Sequence, residues 1–108
     1  MWLSIQFVEK VREIVGDELP LMLDLAVPED LDQTKSFLKE VSSFNPYWIE
    51  EPVDGENISL LTEIKNAFNM KVVTGEKQSG LVHFRELIHR NAADMFNPDI
   101  SGMGGLID

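Results

Sequence analysis

YWIEEPVDG, residues Tyr47–Gly55, climbs through a short apolar run to two adjacent acids and a proline. A run this short, stopped by proline, reads as a strand. Two neighbouring carboxylates at a strand tip repel one another, so their placement needs a reason. Neighbours in a strand point to opposite sides. Glu50 is therefore assigned to one side of the tip, and Glu51 is turned away, toward a lysine or a backbone amide of an adjoining loop. Pro52 ends the strand and fixes the turn.

The same grammar extends in both directions. Leu3 to Val15 carries Phe7, Val8, Val11, Ile14 and Val15 at helical spacing, and Gly16 stops it as a C-cap. Leu19 to Leu23 reads as a strand ending at Asp24, and Pro28 to Val41 as a helix with Leu31, Leu38 and Val41 inward. Beyond the opening stretch, Ile58 to Phe68 is helical and Met70 to Val73 is a strand leading to Glu76. Leu81 to His89 is helical again, and Ala93 to Phe96 runs into Asn97, Pro98 and Asp99. Helices and strands alternate throughout, which predicts an α/β fold with a parallel sheet covered by helices.

One regularity cuts across these units. Asp24, Glu50, Glu76 and Asp99 follow successive strands at separations of 26, 26 and 23 residues. Near-constant unit length fits a barrel or a regular doubly wound sheet, and the spacing alone leaves both open. In either, chemistry gathers at the carboxyl ends of the strands. Adjacent strands lie about 4.8 Å apart, so acids on neighbouring tips reach a common ion. Oxygen-only ligands select a hard cation, Mg²⁺ before Ca²⁺. An acid after a strand also serves simply to cap the next helix, and that reading stands beside the metal one.

Composition narrows the partners. The 108 residues hold 9 Lys+Arg against 19 Asp+Glu, a formal charge of -10, which repels phosphate backbones and anionic lipid. Nucleic acid and membrane are excluded as expected partners. There is no cysteine, so thiolate metal sites are ruled out. No apolar run nears the roughly 18 residues that span a bilayer, no signal peptide is evident, and a cytoplasmic protein is the default.

MLD at Met22–Asp24, WIEEP at Trp48–Pro52, TGE at Thr74–Glu76 and NPDISGMGG at Asn97–Gly105 stand in order and in register. Together they resemble the barrel domain of the enolase superfamily, within it the mandelate racemase/muconate lactonizing enzyme family and its acid-sugar dehydratases. The resemblance implies a partial (β/α) barrel covering strands 3 to 6. It implies Mg²⁺ held by Asp24, Glu50 and Glu76, and Asp99 orienting a histidine base on the seventh strand. It also implies abstraction of a proton α to a carboxylate of a small substrate such as an acid sugar, the enediolate stabilised on Mg²⁺. Dehydratase is favoured over racemase.

Departures matter too. The family's Asp-x-Asn on the third strand reads DLA here, with Ala26 in the Asn place. Lys77 follows Glu76 directly and is a candidate contact for a substrate anion or a partner for Glu76, or else a solvated loop lysine. Nothing before Asp24 resembles the family's Lys-x-Lys base, and His83 and His89, six apart on one helix, read as surface or interface groups. The chain thus reads as the middle piece of a barrel, residues 1–108 forming one partial domain. It is expected to be inactive alone and to self-associate, or form a homo-oligomer, through open sheet edges. Two other readings compete: a small doubly wound receiver-like signalling module, and an inactive piece serving as an assembly surface.

Overall fold

Ser4 opens the first helix by accepting a hydrogen bond from the Phe7 N–H at 3.3 Å, which satisfies one of the unpaired donors of the first turn. In this computed structural model residues 4–105 are described; Leu3 lies outside them. Helix α1 spans Ile5–Val15 and ends where Gly16, at φ 74, returns its N–H to the Arg12 carbonyl. Asp30 caps α2, Leu31–Val41, by accepting from Gln33 N–H at 2.9 Å. That cap places the start of α2 later than Pro28. Asn57 caps α3, Ile58–Ala67, through Leu60 N–H, and α4 spans Leu81–His89. A 3-10 turn, Ser42–Phe44, follows α2.

The strands are short: β1 Met22–Asp24, β2 Trp48–Glu50, β3 Lys71–Thr74 and β4 Met95–Phe96. All pair in parallel, in the order β1-β2-β3-β4. Each strand lies beside its successor in the chain, with no reversal of order. A doubly wound sheet has such a reversal at its switch point, whereas a barrel proceeds strand by strand. The sheet is a stretch of barrel wall.

Register explains the layers. Leu23 pairs with Ile49, and Ile49 with Val72, and all three are buried. They meet Val8, Leu38, Val41, Leu61, Ile64 and Leu87 from the helices in one apolar core. With a side-chain period of two, Met22, Trp48 and Lys71 fall on the opposite face, followed toward the strand ends by Asp24 and Glu50. That face is the one a closed barrel turns inward.

Two sequence expectations shift. The run from Leu19 does not become strand until Met22, because Pro20 lacks an N–H and the Leu19 and Gly16 carbonyls are taken by Arg12 Nη1. The same guanidinium donates to the Phe44 and Asn45 carbonyls, tying α1 to the turn after α2. In α1 only Val8 is fully buried, while Phe7 and Ile14 are exposed. The cause is position: α1 lies at the β1 end of the sheet, where β1 has one strand neighbour among the described residues. Phe7, Val11, Leu21 and Met22 line a shallow cleft along that edge. No helix among the described residues is long and apolar enough to cross a membrane.

Candidate metal centre at the strand ends

Asp24 and Glu50 are the last residues of β1 and β2 and are partners in register, so the sheet itself sets their carboxylates side by side. Glu76 arrives differently. Glu50 stands level with Val73, and β3 ends at Thr74, so Glu76 reaches forward from the loop, just beyond Gly75. Asp99 likewise lies past β4, in the turn that follows.

The backbone at these tips is unusual. Ala26 and Val27 both have positive φ, 52 and 57, a region that is uncommon for non-glycine residues and costly for a β-branched one. Hydrogen bonds hold them there: Leu25 N–H to the Glu50 carbonyl and Val27 N–H to the Glu51 carbonyl, both 2.9 Å. Asp24 Oδ1 accepts from Ala26 N–H at 2.9 Å. Asn tolerates this left-handed conformation better than most residues, which gives a backbone reason for Asn in the place Ala26 occupies.

The acids share one electrostatic environment. The Glu50 carboxyl is raised above its ordinary value, first by burial and then by the negative charges of Asp24, Glu51 and Glu76, with a hydrogen bond from the Trp48 side chain opposing. Charge of one sign is therefore focused at the ends of β1, β2 and β3, as expected where a hard cation is to sit. Two of the three acids, Glu50 and Asp24, also accept from protein donors. Asn97 Nδ2 donates to Glu50 Oε1, Asp24 faces Ala26, and Glu76 is exposed. Among the described residues no three His, Asp or Glu side chains are drawn close enough to ligate one ion. The donor set suits Mg²⁺ in chemistry, all hard oxygen and negatively charged.

Asp99 is exposed and accepts from the Ser101 hydroxyl at 2.7 Å and the Ser101 N–H at 2.9 Å. The Ser101 hydroxyl and then its N–H hold the Asp99 carboxyl below its ordinary value, with Gly102 N–H adding to them against a small opposing effect of burial. Asp99 is thus ionised at neutral pH, the state in which a carboxylate orients an imidazole. Lys77 is exposed and forms no ion pair with Glu76 among the described residues. His89 is exposed, but His83 is half-buried. Its Nε2 lies 3.0 Å from the Gly55 carbonyl, a contact made by the Nε2–H tautomer, so His83 is committed to a loop rather than free at the surface.

Several residues at the site escape a pattern-based reading. Thr74, Gln78 and Glu51 are buried polar groups, and Asn97 joins β4 to Glu50. Their signal in the sequence is weak: one acid beside another, two polar residues at the ends of apolar runs (Thr74 and Asn97) and Gln78 within a polar loop. Glu51 does turn toward a backbone amide of an adjoining loop, that of Gly75 at 3.0 Å. It does so from φ 46, beyond the end of β2, and not by strand alternation.

The family model described as enolase C-terminal domain-like matches residues 3–108. The chain belongs to that family. A solved enolase from environmental shotgun sequencing of the Sargasso Sea is 92% identical, with a TM-score of 0.94, covering 99% of this chain and 30% of that one. L-Talarate dehydratase from Polaromonas sp. JS666, complexed with Mg and L-glucarate, is 31% identical at a TM-score of 0.87, over 94% of this chain and 29% of that one. L-Talarate/galactarate dehydratase of Salmonella typhimurium LT2 is 34% identical over 89% of this chain and 24% of its own length. The chain thus spans less than a third of the relatives it matches. The resemblance to the enolase superfamily drawn from the four motifs is established, and these dehydratases of acid sugars are among its relatives.

Proposed function

We propose that these residues carry the cation-binding wall of an acid-sugar dehydratase, with Asp24, Glu50 and Glu76 holding one Mg²⁺. The observation that carries this reading is the parallel register that sets Asp24 beside Glu50 at the ends of β1 and β2, where burial and the charges of Asp24, Glu51 and Glu76 raise the Glu50 carboxyl. A carboxylate burdened by its acidic neighbours is relieved by a divalent cation shared among them. The Mg-bound relative with L-glucarate matches this chain over nearly its whole length and supports the choice of ion and substrate class.

A bound Mg²⁺ supplies positive charge that acidifies a proton α to a substrate carboxylate. The chain's own groups do the remainder. Asn97 fixes Glu50, and Asp99, held ionised by Ser101, orients a histidine base contributed from outside these 108 residues. Lys77, exposed directly after Glu76, meets a second anionic group of a diacid substrate. His83 is not that base, since its ring is bound to Gly55. Catalysis therefore belongs to the closed barrel and not to this segment in isolation.

The test uses a full-length barrel carrying this segment, incubated with galactarate, L-talarate or glucarate and Mg²⁺ in D₂O. We expect loss of water from at least one acid sugar, with solvent deuterium taken up at the β carbon as the enol product ketonises, abolished by chelation. Glu76→Gln is expected to lower the rate about a hundredfold or more. Neither water loss nor deuterium uptake with any acid sugar would contradict the reading.

A further inference from the structure

Glu51 is a carboxylate buried without a counter-charge. It is 1% exposed and pairs with no cationic side chain among the described residues. Its Oε1 accepts from the Thr74 hydroxyl and from Gly75 N–H, both at 3.0 Å, while Oε2 is buried with no donor among the described residues. An ionised group so placed is costly, and a turn that merely needed filling would be served by an apolar side chain. Hydrogen bonds to a charged acceptor are, however, the strongest fastening available to a hydroxyl and a backbone amide.

The turn that Glu51 fastens has few alternatives. Gly75 adopts φ 134, and a Cβ there would lie 3.0 Å from the Phe84 ring and 3.3 Å from Asn97 N. Gln78, 3% exposed, donates its N–H to the Gly75 carbonyl at 3.3 Å, and its side chain fills the space left by Gly55, where a Cβ would stand 2.5 Å away. Glu76 and Lys77 are thus the two exposed residues between Gly75 and Gln78, both of which are buried. Glu50 and Glu51 are adjacent in the chain, so a fixed Glu51 ties the frame of Glu50 to the frame of Glu76.

We infer that Glu51 is a positioning residue: by clamping the Thr74–Gly75 turn it sets where Glu76 stands relative to Glu50. This rests on the triad reading above. Glu51 itself touches neither cation nor substrate; beyond the charge it adds beside Glu50, its hydrogen bonds act through Glu76.

Two measurements on a full-length barrel carrying this segment test it. One is amide exchange over residues 74–78 without metal, the other Mn²⁺ binding followed by electron paramagnetic resonance. In Glu51→Ala we expect exchange over 74–78 to accelerate and Mn²⁺ affinity to fall about 10–100-fold. Glu51→Gln, whose amide oxygen accepts both bonds, is expected to recover most of each. In a Glu76→Gln background Glu51→Ala should cost no further affinity, because coupled residues are not additive. Unchanged exchange in Glu51→Ala, or an affinity loss that adds in full to that of Glu76→Gln, overturns the inference. Should Glu51→Ala not fold, Thr74→Val removes one donor, with the same two effects expected in reduced size, and their absence overturns it. Failure of the unsubstituted protein to bind Mn²⁺ overturns the triad reading instead, and the exchange measurement still decides whether Glu51 holds the turn.

Discussion

Glu50→Gln is expected to raise the melting temperature of the metal-free protein at neutral pH by a few degrees, while removing its response to Mg²⁺. The two effects have opposite signs, which an ordinary damaging substitution does not produce. The gain follows from the raised Glu50 carboxyl, burdened by burial and by Asp24, Glu51 and Glu76. A group with a folded pKa above its unfolded value of 4.5 binds its proton more tightly when folded. Stability therefore falls as pH rises from near that value through the folded pKa, and stays lower beyond it. Gln carries no charge and still presents an oxygen to Asn97 Nδ2. Melting curves from pH 4 to pH 8 without metal should show this loss in the parent and a flatter profile in Glu50→Gln. A lower melting temperature in Glu50→Gln across that range would mean that Glu50 is a structural anchor.

Leu61→Ala is expected to be among the most destabilising single changes in the helical layer. Leu61 is 0% exposed on α3 and belongs to the core where the helices cover Leu23, Ile49 and Val72. Removing three carbons there forfeits transfer energy and leaves a cavity, about 2–5 kcal/mol in comparable cores. Against a total of about 5–15 kcal/mol for a domain, that is a large fraction. Denaturant unfolding should report it as a lower midpoint with an unchanged slope. Leu81→Ala, on the neighbouring helix but 55% exposed, should shift the midpoint little. Equal losses at the two positions would contradict the assignment of the core.

The alternation of elements was legible because each strand is bounded by strong punctuation. Pro52 closes the second, Gly75 follows the third, and Pro98 follows the fourth. Barrel against doubly wound sheet was not legible from spacing, because both repeat βα units of similar length. Strand order distinguishes them, and order depends on contacts between residues distant in sequence. At the site, Asp24, Glu50, Glu76 and Asp99 announce themselves by their regular spacing. Glu51 and Asn97 do not, since their partners, Gly75 and Glu50, become neighbours only through strand pairing. The exposed Phe7 and Ile14 show the limit of helical periodicity: it marks an apolar face, but not whether a neighbour covers it.

Asp24, Glu50 and Glu76 are proposed to answer to one divalent cation. Isothermal titration calorimetry with Mg²⁺ on a full-length barrel carrying this segment, beside Asp24→Asn, Glu50→Gln and Glu76→Gln, tests it most directly. One site per chain is expected in the parent, with affinity weakened about tenfold or more by each substitution. Unaltered Mg²⁺ binding in any one of the three variants, or no binding in the parent, would contradict it.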